Sequence, residues 1–130
     1  MIRALLLAAA VAAPAPVTTP LKSLEATAAG QPITPPPGPV EVKVSQTDIP
    51  AGGQIPPHKH PWPRYVYVIS GRIQVDNLVT GQSYELKAGD ASIDPVDQWH
   101  QARALDGAPA RLIAIDQVPP GATNLIRKAP

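Results

Sequence analysis

Short segments in which apolar and polar residues alternate follow one another from residue 40 to residue 117. Such a period of two predicts half-buried β-strands, and the glycine, proline and aspartate residues between the segments predict turns. The predicted strands are 40–45, 65–70, 72–79, 83–87, 91–94, 99–104 and 111–117, while 49–57 (IPAGGQIPP) is predicted as a turn-rich break. Short, closely spaced strands of this kind predict an all-β sandwich or barrel rather than an α/β domain.

The chain begins with MIR, and the apolar run ALLLAAAVAA follows. One cation followed by about ten apolar residues is typical of a secretory signal peptide, and the run is too short to span a bilayer. Val11 and Ala13 are small enough to precede a cleavage site, but Pro14 disfavours the bond after Ala13, so we expect cleavage within 13–29. The mature protein is then expected in the periplasm or outside a bacterial cell, with no membrane span. A buried Ala/Leu helix within the domain is the alternative.

Proline is concentrated ahead of the predicted strands, with eight of the 18 prolines within residues 14–39. Proline fixes φ and cannot donate a backbone hydrogen bond, so this segment is predicted to be neither helix nor central strand. The chain therefore divides into a signal peptide and flank at 1–29, a proline-rich linker or arm at 30–39, a barrel at 40–118 and an irregular C-terminal tail at 119–130. The sequence leaves open whether the arm is extended or packs against the barrel or a partner subunit.

Composition excludes several classes of function. The 130 residues include no cysteine, which excludes disulfide scaffolds, cysteine zinc sites and thiol nucleophiles. The formal net charge is +1 and the basic residues are dispersed, so we expect no nucleic-acid partner. The chain contains neither a G-x-S-x-G elbow nor a phosphate-binding loop. A small-molecule ligand is the expected partner.

The candidate chemistry lies on the three histidines of the chain. His58 and His60 form an H-x-H pair, and residues i and i+2 of a strand project from one face. Two imidazoles on one face can bind the same ion at about 2.0–2.2 Å. His100 begins another predicted strand, which in a small barrel can face the first across the interior. The histidines therefore predict a metal site.

The histidines stand in a pattern that resembles the two sequence motifs of the cupin family. The matching positions are Gly52, His58, His60 and Gly71 of GxxxxxHxHxxxExxxxxxG and Gly89, Pro95 and His100 of GxxxxxPxGxxHxxxN. The resemblance extends over residues 40–115, the whole of the predicted β region. It implies a cupin-type β-barrel, the double-stranded β-helix or jelly roll, with His58, His60 and His100 as ligands of one divalent metal.

Three positions depart from the cupin motifs. Arg64 stands where the family has a metal-binding glutamate, Asp97 replaces a glycine and Ala104 replaces an asparagine. Because arginine cannot bind a metal ion, the site is predicted to hold three imidazoles and open positions for water or substrate. Imidazole ligands without a carboxylate favour iron, zinc, nickel or copper over manganese or magnesium. The resemblance to three-histidine cupin dioxygenases implies iron(II) as the first expectation.

Arg64 has three interpretations at this stage. Its guanidinium, placed beside the ion, would clamp a carboxylate or enolate of the substrate through two hydrogen bonds. Alternatively, it turns outward or pairs with Asp94, Asp97 or another nearby acid. In the third interpretation the site holds no metal and Arg64 binds an anion directly.

Aromatic and amide side chains are concentrated near the histidines. Trp62 and Trp99 each lie close to a predicted ligand and are expected to form a pocket wall for a planar or apolar ligand. Gln54 and Gln98 are expected to form hydrogen bonds with the imidazoles without binding the metal themselves.

Two classes of function follow from these observations. The first is a metal-dependent enzyme that carries out dioxygenase-like oxidation or cleavage of a small organic anion. The second is a non-catalytic periplasmic module that binds or senses a metal or a small molecule, which the absent glutamate favours. Because small cupins commonly pair through sheet edges, we also expect a homodimer, with residues 40–47 as the exchanging strand.

Overall fold

The computed structural model describes residues 8–130, and no helix in this part of the chain is long and apolar enough to span a membrane. The predicted signal peptide begins in residues 1–7, outside the described residues. The described strands are β1 (Glu41–Ile49), β2 (Gln54–Lys59), β3 (Arg64–Ser70), β4 (Arg72–Asn77), β5 (Ser83–Lys87), β6 (Ala91–Ile93), β7 (His100–Ala104), β8 (Ala110–Val118) and β9 (Ile126–Arg127).

The strands form two antiparallel sheets, which confirms the predicted all-β fold. One sheet has the order β1-β8-β3-β6 and the other the order β5-β4-β7-β2-β9. Gly71 alone separates β3 from β4, so the chain passes from one sheet to the other at this residue. The resulting architecture is the double-stranded β-helix that the resemblance implies.

The core lies between the two sheets and consists of aliphatic side chains. Alternate residues of β4 and β8 are buried, including Ile73 and Val75, which the alternation places on one face. Val68 is fully buried, and Val66 lies beside it on the same face of β3. Val66, Ile73 and Val75 also line a cavity together with two of the histidines, His58 and His100.

The valines of strand β1 face away from the barrel, although their alternation with polar residues favours burying them. Val42 and Val44 are 57% and 66% exposed, whereas Glu41 and Lys43 are partly covered. The Lys43 ammonium donates to the Ala122 carbonyl oxygen, and Glu41 accepts from the Gly121 N–H. The C-terminal tail thus covers the polar side of β1, and the alternation alone could not show which side this would be.

Strand β2 occupies part of the segment that was predicted as a turn-rich break. It contains Pro56 and Pro57, and its register with β7 shifts between Ile55 and His58. This irregularity accommodates the two residues that cannot donate ladder hydrogen bonds. The break is therefore limited to the turn before Gln54.

Both flanks of the barrel pack against it. In the N-terminal arm, the Gln31 side-chain amide donates to the Val96 carbonyl oxygen at 2.9 Å and accepts from the Val96 N–H at 2.8 Å. In the C-terminal tail, Asn124 is 4% exposed and β9 adds a strand beside β2. The segment predicted as an irregular tail therefore contributes to the site described next.

Candidate metal centre

Three imidazoles meet in the interior of the barrel, as the sequence predicts. His58 on β2 lies directly opposite His100 on β7, and opposite residues project from the same face of a sheet. His60, two residues after His58, projects to the same side. Their exposed fractions are 6%, 0% and 2% for His58, His60 and His100. The ring centroids lie 4.4–5.0 Å apart.

Each imidazole is oriented by a hydrogen bond from its Nδ1 to a backbone carbonyl oxygen. The pairs are His58 with Pro56 at 2.8 Å, His60 with Asn124 at 2.6 Å and His100 with Gln98 at 2.8 Å. A carbonyl oxygen can only accept, so each neutral ring carries its proton on Nδ1. The Nε2 lone pairs are therefore available to an ion, which is the arrangement that metal-binding histidines usually have.

The histidine nitrogens are close enough to one another to hold a single metal ion. One ligand atom from each ring lies within 4.8 Å of the others. The Nε2 atoms of His60 and His100 are buried and have no hydrogen-bond partner in the described part of the chain. A buried polar atom without a partner is costly, and a bound ion would remove this cost. Such an ion would leave positions open for a substrate.

Asp94 places a buried carboxylate beside two of the imidazoles. Its Oδ2 lies 3.4 Å from His60 Nε2 and 3.8 Å from His100 Nε2. Burial acts to raise the pKa of Asp94, but the adjacent His100 and His60 rings outweigh burial and hold this pKa well below its usual range. Asp94 is thus ionised, and its charge attracts a cation to the histidine nitrogens.

The pKa values of His58 and His100 are shifted in opposite directions by their surroundings. Burial lowers the pKa of His58 to about 4, so this ring is neutral near pH 7 and can bind a metal. Burial also acts to lower the pKa of His100, but the adjacent Asp94 carboxylate outweighs it and the net shift is upward. At His100 a metal ion would therefore compete with a proton for the same lone pair.

Arg64 is held by an acid that sequence analysis did not identify. Its Nε and Nη2 each donate to a different carboxylate oxygen of Asp116, both at 2.7 Å. Asp116 also accepts from Asn124 Nδ2 at 2.6 Å, and the backbone oxygen of Asn124 accepts from His60. A continuous set of hydrogen bonds therefore joins Arg64 to His60. Asn124 lies in the tail, where no sequence pattern marks it.

An internal cavity of about 220 Å³ lies beside two of the three histidines. Its polar wall includes His58, His100, Arg64, Asp94 and Arg127. Its apolar wall includes Val66, Ile73, Val75, Leu86, Leu112 and Ala114. The cavity therefore offers an apolar body and a charged end to a small ligand.

The two tryptophans expected to form a pocket wall do not line this cavity. Trp99 precedes the inward-facing His100 and so projects outward, where Lys59 Nζ lies 5.1 Å from the centre of its ring. Trp62 lies in the connection between β2 and β3, where its backbone N–H donates to Asn124 Oδ1. Aliphatic strand residues form the apolar wall in their place.

The two glutamines also differ from their expected positions. Gln98 contacts His100 through its backbone oxygen, while its side chain accepts from Asn77 Nδ2 at 2.8 Å. Gln54 is exposed at the beginning of β2. Backbone carbonyls rather than amide side chains orient the imidazoles.

The two-sheet barrel and its buried histidine cluster define a small double-stranded β-helix protein with a candidate metal centre. A family model of the cupin domain matches residues 45–116. This match includes more than half of the 130 residues, and the chain belongs to the cupin family. The resemblance seen in the two motifs is therefore confirmed.

Comparisons identify known proteins that are similar to this chain in sequence or in structure. The polyketide synthase CurC of Streptomyces cyaneus is 33% identical over 63 residues, which cover 48% of this chain but only 40% of that protein. An uncharacterized conserved protein with a double-stranded β-helix domain from Klebsiella pneumoniae is 28% identical, with a TM-score of 0.55 and coverage of 67% and 76% of the two chains. A recombinant oxalate oxidase in complex with glycolate is 22% identical, with a TM-score of 0.55 and coverage of 66% and 45%.

Proposed function

We propose that this chain is an exported cupin that binds one divalent transition metal through His58, His60 and His100 and oxidises or cleaves a small organic anion with dioxygen. The convergence of three buried imidazoles, two of which (His58 and His100) line an internal cavity, carries the proposal. Iron(II) is the first expectation, and zinc, nickel and copper also suit imidazole ligands. The bound ion would supply redox and Lewis-acid chemistry, while the cavity residues hold and orient the anion.

Two arginines are available to orient an anionic substrate in the cavity. Arg64, the clamp expected from the sequence, already donates to both oxygens of Asp116. Arg127 lies opposite His58 in the β2–β9 register and lines the cavity, and it forms no ion pair within the described residues. We therefore assign the primary contact with the anion to Arg127 and a supporting position to Arg64. The glycolate complex of the similar oxalate oxidase supports a small carboxylate as the ligand class.

A non-catalytic module that binds or senses a metal or small molecule in the periplasm is the second candidate. Asp94 is the only acid that lines the cavity in the described part of the chain, and it already contacts the histidines. No further carboxylate in the cavity wall is therefore free to move a substrate proton. Ligand binding without turnover would support this alternative.

The proposal is tested on protein purified from the periplasmic fraction. We expect a mature chain that begins after one of residues 13–29 and carries about one metal ion, both measured by mass spectrometry. Iron(II)-loaded protein is then expected to consume oxygen with at least one small keto, phenolic or thiol acid. Arg127→Gln should raise KM about tenfold, because it removes a charge-assisted hydrogen bond, whereas the outward-facing Arg103→Gln should not change it. Full metal content with no oxygen uptake would favour the binding module, and protein without bound metal would contradict the enzyme and leave only a module that binds a small molecule.

We also propose that the chain forms a homodimer through β1, which lies at the edge of its sheet. Val42 and Val44 are exposed on this strand, and Ile115, opposite Val44, is 37% exposed. Apolar residues along an open strand edge are typical of pairing surfaces. Light scattering should give the mass of two chains, and Val44→Lys should shift it to that of one, unlike Val79→Lys in the exposed β4–β5 turn. A wild-type mass of one chain would exclude the dimer.

A further inference from the structure

The carboxylate of Asp94 lies beside two of the three histidine rings. This residue is 9% exposed, it lies close to His60 and His100, and it lines the cavity. We propose that Asp94 is a fourth protein ligand of the metal, in addition to the three histidines, an inference that rests on the proposed metal site. The carboxylate that is missing from the motif position of Arg64 is thus supplied by another element.

The distances around Asp94 fit ligands of a shared ion better than direct hydrogen bonds. At 3.4 and 3.8 Å, the separations of Oδ2 from His60 Nε2 and His100 Nε2 exceed those of ordinary N–H···O bonds. Two ligands bound at about 2.0–2.1 Å to a tetrahedral ion lie about 3.3–3.4 Å apart. Both nitrogens also lack a hydrogen-bond partner in the described part of the chain. One ion would satisfy all three atoms.

The position of Asp94 follows from the pairing of β3 with β6. Tyr65 is paired with Ile93, so the next residue, Asp94, comes opposite Arg64. The Asp94 N–H donates to the Arg64 carbonyl oxygen at 2.9 Å, which fixes the backbone there. Because Asp116 binds the Arg64 guanidinium, this arginine does not draw the Asp94 carboxylate away from the histidines.

A carboxylate ligand changes the charge and the metal preference of the site. Three neutral imidazoles would leave a divalent ion with its full charge inside an apolar barrel, whereas Asp94 neutralises half of that charge. Burying an ion costs less when an opposite charge contacts it. A mixed nitrogen and oxygen ligand set suits iron(II), and it also removes the reason for excluding manganese.

The experiment compares metal binding by the metal-free wild-type chain, Asp94→Asn and Asp94→Ser. Asp76→Asn is the matched control, because Asp76 lies on the outer face of β4 and binds Ser83 and Gln74. Zinc affinity is measured by calorimetry, and the copper(II)-loaded proteins are compared by electron paramagnetic resonance. We expect Asp94→Asn to weaken zinc binding by more than about 100-fold, beyond the 10–100-fold loss typical of residues that only orient a ligand. Its copper spectrum should also change, whereas Asp76→Asn should match wild type in both measurements.

Several outcomes would overturn the inference. If wild type binds zinc and Asp94→Asn binds it within about threefold, the three-histidine site stands and Asp94 is not a ligand. A loss of zinc affinity that lies between about threefold and about 100-fold, with an unchanged copper spectrum, would make Asp94 a positioning residue only. If wild type binds neither zinc nor copper, both the inference and the proposed metal site fail. Circular dichroism identifies a misfolded variant, in which case Asp94→Ser provides the comparison.

Discussion

Replacing His100 with alanine is expected to weaken metal binding by more than about 100-fold, beyond the loss caused by changing a residue that only orients a ligand. His100 contributes one of the three converging rings, and its Nε2 is buried without a hydrogen-bond partner in the described part of the chain. Removing the ring deletes a ligand at a site that the backbone has already organised. Calorimetric titration with zinc, and with iron(II) under anaerobic conditions, measures the loss.

The same variant should also lose most of the stabilisation that metal gives to the fold. At a free metal concentration about 100 times the wild-type Kd, binding stabilises the native state by about 2.7 kcal/mol. A variant with a 100-fold higher Kd gains only about 0.4 kcal/mol at that concentration. The difference corresponds to a Tm shift of roughly 10 °C for a domain of this size. Gln101→Ala is the matched control, because its side chain contacts Asp76 on the outer face. Full metal content in His100→Ala would exclude the site.

The strands could be predicted where local alternation and burial agree. The predicted segment 83–87 coincides with β5, and 111–117 lies within β8. The prediction failed for β2 because pairing with neighbouring strands outweighs the local effect of Pro56 and Pro57. The face of β1 could not be predicted either, because the distant C-terminal tail decides which side is covered.

The histidine cluster could be predicted because the H-x-H spacing and the cupin motifs mark its members, whereas the surroundings of the cluster depend on long-range contacts. Asp94, Asp116 and Asn124 come from separate elements, and no local pattern connects them to the histidines. Trp99 is different, since the period of two already places it on the opposite face from His100. Strand alternation therefore predicts which way a side chain points better than its proximity in sequence to a histidine does.

Replacing Gly71 with alanine is expected to lower the free energy of unfolding by about 3 kcal/mol. Gly71 joins the two sheets with a φ of +77°, a left-handed conformation that costs other residues roughly 1–2 kcal/mol. A Cβ at this position would overlap the Pro109 carbonyl oxygen and lie 2.7 Å from Ala110 Cα. These are backbone atoms at the beginning of β8, so relief requires moving the chain, and such overlap typically costs 1–3 kcal/mol.

Gly89→Ala separates the two contributions, and urea unfolding measures both variants. Gly89 also has a left-handed conformation, with a φ of +90°, but no heavy atom lies within 4 Å of its added Cβ. Gly89→Ala should therefore lower the free energy of unfolding by only about 1–2 kcal/mol, which is the cost of the left-handed conformation. The additional loss at Gly71 measures the contact between the β3–β4 corner and β8. Equal losses at the two glycines would mean that this corner can move away from Pro109 at little cost, so that the close contact does not hold the two sheets together.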